Sequence, residues 1–375
     1  MDSQLRHGMV AQPDHDEAAR QEFSFTLRSH VINRVFRENR RAWESAVAPG
    51  FRKQKGRDAR DRHEIRPLMV QNPFFQMSSS LRQIQQEYMW DVYGEKIHRQ
   101  LPSLIERARD YRDSSKRKGS LRLDPTLAVP RYHTAVDIHT QPGGYHTDTA
   151  DDDVFCGALY DDAIWTFLMH GQGPLNDLRG RCMIDYLKAN FPGFRPKRIL
   201  DMGCTVGHST LAFVDAWPEA EVHAIDVGAP CLRYAHGRAE SLGKRVHFSQ
   251  QNAEKTDFPD GYFDLVVSVG MLHETSRKAF QQVFAETHRL LAPGGIMMHT
   301  DQPSKVNTAL LPDAFAEFIR DWDTHYNAEP FIGTMMDMDH AAVAAKAGFD
   351  PKTIRDEDFR SPARGGVDHL VLAIR

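Results

Sequence analysis

The residues Asp201-Met202-Gly203-Cys204-Thr205-Val206-Gly207 stand between an apolar run, RIL, and a helical pattern, HSTLAFVDAW. Glycines at such a strand-to-helix turn let the backbone approach a ligand, and the free N–H groups of the first helical turn point at it. Asp226 ends the next apolar run, AID. An acidic side chain about 20 residues beyond a glycine turn accepts hydrogen bonds from ribose hydroxyls in open α/β sheets. Asp201 and Asp226 together narrow the ligand to a nucleoside-containing cofactor. A dinucleotide fingerprint would space three glycines as GxGxxG, and GCTVGHS has no third glycine in that place.

Proton chemistry points further along the chain. His273 and Glu274 follow the run FDLVVSVG, and His299 and Asp301 close the run GIMMHTD. Ligands of open α/β sheets bind beyond the carboxyl ends of the strands, so these side chains are the ones to inspect. An imidazole with a pKa of about 6.5 can take a proton at neutral pH. His273 is therefore the first candidate for a general base or substrate-orienting group, with Glu274 and His299 behind it. Simple packing, or a bond to a backbone carbonyl, would explain the same histidines. Two imidazoles and two carboxylates could also face a metal ion, but their spacing does not demand one, and none is expected.

These motifs resemble those of the class I S-adenosylmethionine-dependent methyltransferases, whose first motif reads Asp-x-Gly-x-Gly-x-Gly. The chain matches it at Asp201, Gly203 and Gly207 and carries Thr205 in place of the central glycine. The likeness continues through Asn252-Ala253-Glu254, where family members contact adenine, then through FPDGYFDLVVSVGMLHE and RLLAPGGIMMH. The resemblance implies S-adenosylmethionine as cofactor and S-adenosylhomocysteine as product. It assigns cofactor contacts to Asp201, Gly203, Cys204, Thr205, Gly207, His208, Asp226, Val227, Asn252, Ala253, Glu254 and Ser268. It implies in-line methyl transfer to a small-molecule acceptor, of the kind found in specialised biosynthesis. Two other readings remain open: consumption of S-adenosylmethionine by cyclisation or a lyase-type reaction, and an RNA methyltransferase or non-catalytic cofactor-binding protein.

The elements that must position these residues change character along the chain. Residues 1–22 are polar and expected to be disordered. From Phe23 to about Tyr111 apolar residues recur every three or four positions, as in Val31, Ile32, Val35 and Phe36, which predicts helices. SSKRKGSLRLDPTLAVP reads as a linker by its Ser, Lys, Gly and Pro content. Helices are expected over Val154–His170 and Leu178–Phe191. From Arg198 short apolar runs alternate with helical stretches such as Ser209–Ala216 and Arg277–Leu291, which predicts βαβ units and a parallel sheet. The expected architecture is an α/β, Rossmann-like, mainly parallel seven-stranded sheet flanked by helices. A mostly helical region, 23–150, would serve as a substrate lid or oligomerisation region. The cofactor domain would span 151–375, with core motifs at 198–301 and a substrate-side insertion at 304–335. Tyr145, His146, Tyr160, Trp322, Tyr326 and Phe331 are the candidate substrate contacts.

Composition narrows the partners. Hydrophobic residues make up 41% of the 375 residues and charged residues 26%, as in globular chains. The apolar runs fall short of the roughly 18 residues a membrane span needs. The opening residues lack a secretory pattern, and Cys156, Cys182, Cys204 and Cys231 form no CxxC pair, so a reducing cytoplasm is expected. A net charge of −4 gives no general attraction to nucleic acid. Between Arg28 and Arg66, however, twelve Lys or Arg face five Asp or Glu. Such a segment reads as a binding arm or, more simply, as a solvated helical face. A homodimer is compatible with all of this.

Overall fold

In the computed structural model, residues 4–361 and 366–375 are described. Eight strands form one sheet: β1 (Ser120–Arg122), β2 (Arg198–Met202), β3 (Glu221–Asp226), β4 (His247–Gln250), β5 (Phe263–Val269), β6 (Leu291–Asp301), β7 (Arg355–Ser361) and β8 (Gly366–Ile374), in the order β1-β4-β3-β2-β5-β6-β8-β7. All pairings are parallel except β6 with β8 and β7 with β8. The order reverses between β2 and β5, and a doubly wound sheet opens its ligand crevice at that switch point. β2 and β5 are apolar because helices cover both their faces. One core cluster gathers Ile199, Leu211, Val222, Leu265 and Met298, and another gathers Leu200, Ile225, Val266, Phe280 and Met297.

The sheet has eight strands rather than the expected seven. The extra one, β1, lies inside the segment read as a linker and pairs with His247–Ser249 of β4. Gly119 permits this, since a Cβ there would lie 2.1 Å from the Val246 carbonyl oxygen. Three residues beside a Lys- and Gly-rich turn carry no periodicity, which is why the sequence hides the strand.

Residues 4–22 are also ordered, against expectation. Asp14 and Glu17 form a capping box that starts the helix His15–His30. Met9, Val10 and Ala11 are buried, and Met9 and Ala11 pack with Met89 and Trp90 of the helix Pro73–Asp113 and with Tyr234. A polar average masks these three apolar residues.

The basic segment is divided: Arg34, Arg37, Arg41, Arg52, Lys53, Lys55 and Arg60 are exposed, as a solvated face would be, while Arg28, Arg40, Arg62 and Arg66 have partners in other parts of the fold. Arg28 is buried, donates to the Phe167 carbonyl at 2.9 Å and stacks 4.3 Å above the Phe167 ring. Arg40 pairs with Asp313 at 2.8 Å, Arg62 with Asp337 at 2.6 Å, and Arg66 with Asp321 at 2.6 Å. The cations thus dock the N-terminal helices onto the acidic stretch 313–337, and Phe36, Trp43, Phe51 and Phe75 pack there against Phe315, Phe318 and Trp322. Among the described residues no helix is long and apolar enough to cross a membrane.

Candidate active site

A cavity opens beyond the carboxyl ends of β2, β3 and β5, lined by Gly203, Thr205, Asp226, Val227, Asn252, Ala253, Gly270, Met271 and Glu274, and roofed by Tyr132, His133, Tyr145 and Tyr160. A second hollow shares Tyr160, Gly203, Thr205 and Val269 with it and adds Asp201, Cys204, His208 and Arg179. Together they form a trough over the first motif.

The backbone at the turn explains the trough. Gly203 has φ +69, and a Cβ there would fall 2.5 Å from the Met271 side chain. Gly207, with φ +76, turns the chain into the helix His208–Ala216. Thr205 also has a left-handed φ, +50, where a β-branched residue is strained. Its N–H donates to Asp226 Oδ2 at 2.9 Å, and the Gly228 N–H donates to Asp226 Oδ1 at 2.8 Å. Asp226 is thereby fixed with one lone pair per oxygen left for a ligand. Burial raises its pKa despite these bonds. Asp201 is buried, accepts from Thr210 Oγ1 at 2.5 Å, and burial pushes its carboxyl up to about 7. Burial also holds the Cys204 thiol well above its usual range, so it stays protonated. His208 donates toward Asp161, 2.5 Å from its Nε2, and Asp161 also binds His7 and Tyr234. That hub ties residues 4–12 to the floor of the site.

The catalytic candidates separate clearly. His273 Nδ1 lies 2.5 Å from Asp301 Oδ1, while Asp301 Oδ2 accepts the Leu272 and His273 N–H groups at 2.7 and 3.3 Å. The imidazole is oriented with Nε2 free of the carboxylate. Burial opposes its protonation, but Asp301 outweighs burial and the His273 pKa is raised. Behind it, His139 contacts Glu329 through Nδ1 and lies 3.4 Å from Glu274 Oε1 through Nε2. Burial again opposes the charge, yet Glu329 and Glu274 lift His139 to about 10. His139 holds a left-handed φ of 58, pinned by Gln86 and Trp90, which donate to its carbonyl at 2.7 and 2.9 Å. Tyr145 donates to Glu274 at 3.4 Å. One ligand atom each of His139, His273 and Glu329 lie within 4.8 Å of one another, a set that could also receive a divalent ion.

Several sequence candidates stand elsewhere. His299 is fully inside the sheet between Ser268 Oγ, 2.8 Å from its Nδ1, and Thr287. Burial lowers its pKa to about 4, so it is a neutral core histidine and not a proton acceptor for a ligand. Ser268 is spent on that bond and does not line the trough. Glu254 is one step removed, accepting from Tyr132 Oη at 2.8 Å and thereby placing the tyrosine that does line it. Trp322 is buried, donates to Ser79 Oγ at 3.0 Å and lies under Arg82, and Tyr326 packs beside it. Both join the N-terminal helices to the insertion. Phe331 packs edge-on to Tyr132, and His146 packs near His133. Of the six substrate candidates only Tyr145 and Tyr160 line the cavity. The sequence reading missed His139, Glu329, Tyr132 and Asp161. His139 and Glu329 lie in short irregular stretches without periodicity, so no pattern in the sequence marks them.

Residues 199–295 match a family model described as a methyltransferase domain. Demethylmenaquinone methyltransferase of Thermus thermophilus is 35% identical over 109 residues, which are 29% of this chain and 48% of that protein. Malonyl-[acyl-carrier protein] O-methyltransferase of Legionella pneumophila is 26% identical over 194 residues, 51% of this chain and 62% of that one. The chain thus spans about half the length of the first of these relatives. A solved O-methyltransferase-like structure from Nostoc punctiforme superposes with a TM-score of 0.41 and 17% identity over 56% of this chain and 60% of its own. The matched segment is similar to a methyltransferase domain and carries the glycine turn, Asp226 and the strands that end at the trough.

Proposed function

We propose that this protein transfers the methyl group of S-adenosylmethionine to a small-molecule acceptor that arrives protonated at the reacting atom, as a hydroxyl does. The observation that carries this reading is the His273–Asp301 pair at 2.5 Å beside the trough. An imidazole held by a buried carboxylate is a general base built to accept a proton through its other nitrogen. His273 Cε1 comes within 3.7 Å of where a Gly270 Cβ would stand, and Gly270 lines the cavity.

The residues present fit the cofactor. Asp226 would hold ribose hydroxyls, Asn252 and Ala253 flank the place for adenine, and Asp201 with the turn N–H groups suits an amino-acid end. Gly203 supplies the cradle that a Cβ would fill. The cofactor, when bound, supplies an electrophilic methyl on a sulfonium. The chain's own work is to align the acceptor, keep water out and take one proton, since in-line transfer depends chiefly on alignment. Tyr145 and Tyr160 present ring faces and hydroxyls over the trough, where a sulfonium is favoured by aromatic faces. Residues 23–150 and 304–335 form the cap: 130–145 roofs the trough directly, and the insertion supplies Glu329. A capped cavity favours a small acceptor over a macromolecule.

The test is calorimetric titration with S-adenosylmethionine and S-adenosylhomocysteine on wild type, Asp226→Ala and Gly203→Ala, with mass spectrometry of each mixture. Binding of both ligands by wild type, its loss in the variants and an intact cofactor without acceptor are expected. Failure of wild type to bind either ligand overturns the proposal. Conversion of S-adenosylmethionine without any acceptor replaces transfer by the cyclase or lyase reading.

A further inference from the structure

His340, Asp356 and His369 lie outside the machinery described above, yet one ligand atom from each comes within 4.8 Å of the others. His340 opens the helix His340–Lys346, Asp356 lies on β7 and His369 on β8, so three successive elements converge. Their side chains are 0%, 2% and 1% exposed.

His340 has one nitrogen committed and one left over, whereas His369 uses both of its nitrogens on carboxylates, one of them Asp356 of the cluster itself. His340 Nε2 lies 3.1 Å from the Met335 carbonyl oxygen, which makes it the N–H and leaves Nδ1 a bare lone pair. That Nδ1 is buried without a hydrogen-bond partner and faces Asp356 Oδ1 at 3.8 Å. His369 Nδ1 is 2.7 Å from Asp358 Oδ1, and its Nε2 is 2.7 Å from Asp356 Oδ1. The other Asp356 oxygen accepts from Asn307 Nδ2 at 2.9 Å. An unpartnered buried acceptor is unfavourable, and this one points into a cluster of ligating atoms. Metal-bound histidines almost always donate their second nitrogen to a carbonyl or carboxylate, which fixes the tautomer and the ring. Both histidines here have such a partner, and the carboxylate between them is itself braced.

We propose that His340 Nδ1, Asp356 and His369 Nε2 bind a divalent transition-metal ion of the zinc or cobalt type. Two imidazoles and one carboxylate suit those ions and not magnesium or calcium, which take oxygen ligands. His369 also lines a separate cavity with Thr300 and Asp301, so the cluster borders open space through this residue. Bound there, the ion fastens the helix His340–Lys346 to β7 and β8. It also braces the start of the insertion, where Thr308 Oγ1 and the Ala309 N–H donate to Asp358 at 2.8 and 2.7 Å. The site does not depend on the methyl-transfer reading.

The test uses the full chain, purified without a histidine tag and stripped with chelator, then titrated with Co²⁺ alone while its visible absorption is recorded. One equivalent with a four- or five-coordinate spectrum is expected in wild type and in His139→Ala, and loss of that spectrum in His340→Ala and His369→Ala. X-ray absorption of the Zn²⁺-loaded His139→Ala protein should show two imidazoles and at least one oxygen, which assigns the ion to this set and not to His139, His273 and Glu329 if the other variants fail to fold. No stoichiometric binding by wild type, or a spectrum abolished by His139→Ala and kept in His340→Ala, overturns the proposal.

Discussion

Replacing Thr205 by glycine should make this protein more stable. Thr205 holds φ +50 in the turn after β2, and a left-handed backbone costs an L residue roughly 1–2 kcal/mol. A branched Cβ puts threonine at the upper end of that range. Glycine removes the strain but loses more chain freedom on folding, about 0.5–1 kcal/mol. The Thr205 N–H bond to Asp226, at 2.9 Å, is a backbone bond and survives the exchange. The difference leaves a net gain of about 1 kcal/mol for Thr205→Gly. Thr205→Ala keeps a Cβ without the branch and should gain less. Equilibrium urea unfolding of the ligand-free protein reads the shift as a higher midpoint at unchanged slope. Calorimetry should find cofactor affinity changed little, because Asp226 stays anchored. A midpoint that falls, or one that rises more for alanine than for glycine, would refute the strain argument.

Removing the His273 imidazole with His273→Ala should lower turnover by about 10²–10⁴-fold for a protonated acceptor. Wild-type turnover should climb as pH passes the raised His273 pKa, since only the neutral ring accepts a proton, and Asp301→Asn should move that limb to lower pH. With its carboxyl pushed from 3.8 to about 7, Asp201 holds a proton in the folded state that the unfolded chain releases. Its contribution to stability is therefore full below about 3.8 and lost as pH rises to about 7. A cofactor ammonium needs the ionised form, so affinity should rise up to about tenfold between pH 6 and 8 and lose this dependence in Asp201→Asn. Arg62 joins the N-terminal helices to the insertion through Asp337 at 2.6 Å and Asp321 at 3.4 Å. Its loss in Arg62→Ala should cost about 3 kcal/mol, the low end for a buried pair because Asp337 stays partly wet; an unchanged unfolding midpoint would count against this.

The sequence by itself determined the parallel core of the sheet, without β1, and the glycine turn with its two acids that faces the trough. Glycines at 203 and 207, the acids at 201 and 226, and alternating apolar runs act through neighbouring residues, so their meaning survives without tertiary information. The same locality explains the misreadings. His299 and His273 look alike in sequence, each near the end of a strand, yet one points between Ser268 and Thr287 inside the sheet and the other toward Asp301 at its edge. Trp322 and Tyr145 are both aromatic residues in polar segments, and only the fold sends one to a packed seam and the other to the cavity. His139 and Glu329 come from segments far apart in the chain, and His340, Asp356 and His369 from a helix and two strands whose packing alone brings them together, so no spacing rule can find them. Tertiary structure alone decided these, because a buried charge or lone pair takes its character from whichever distant group packing brings to face it.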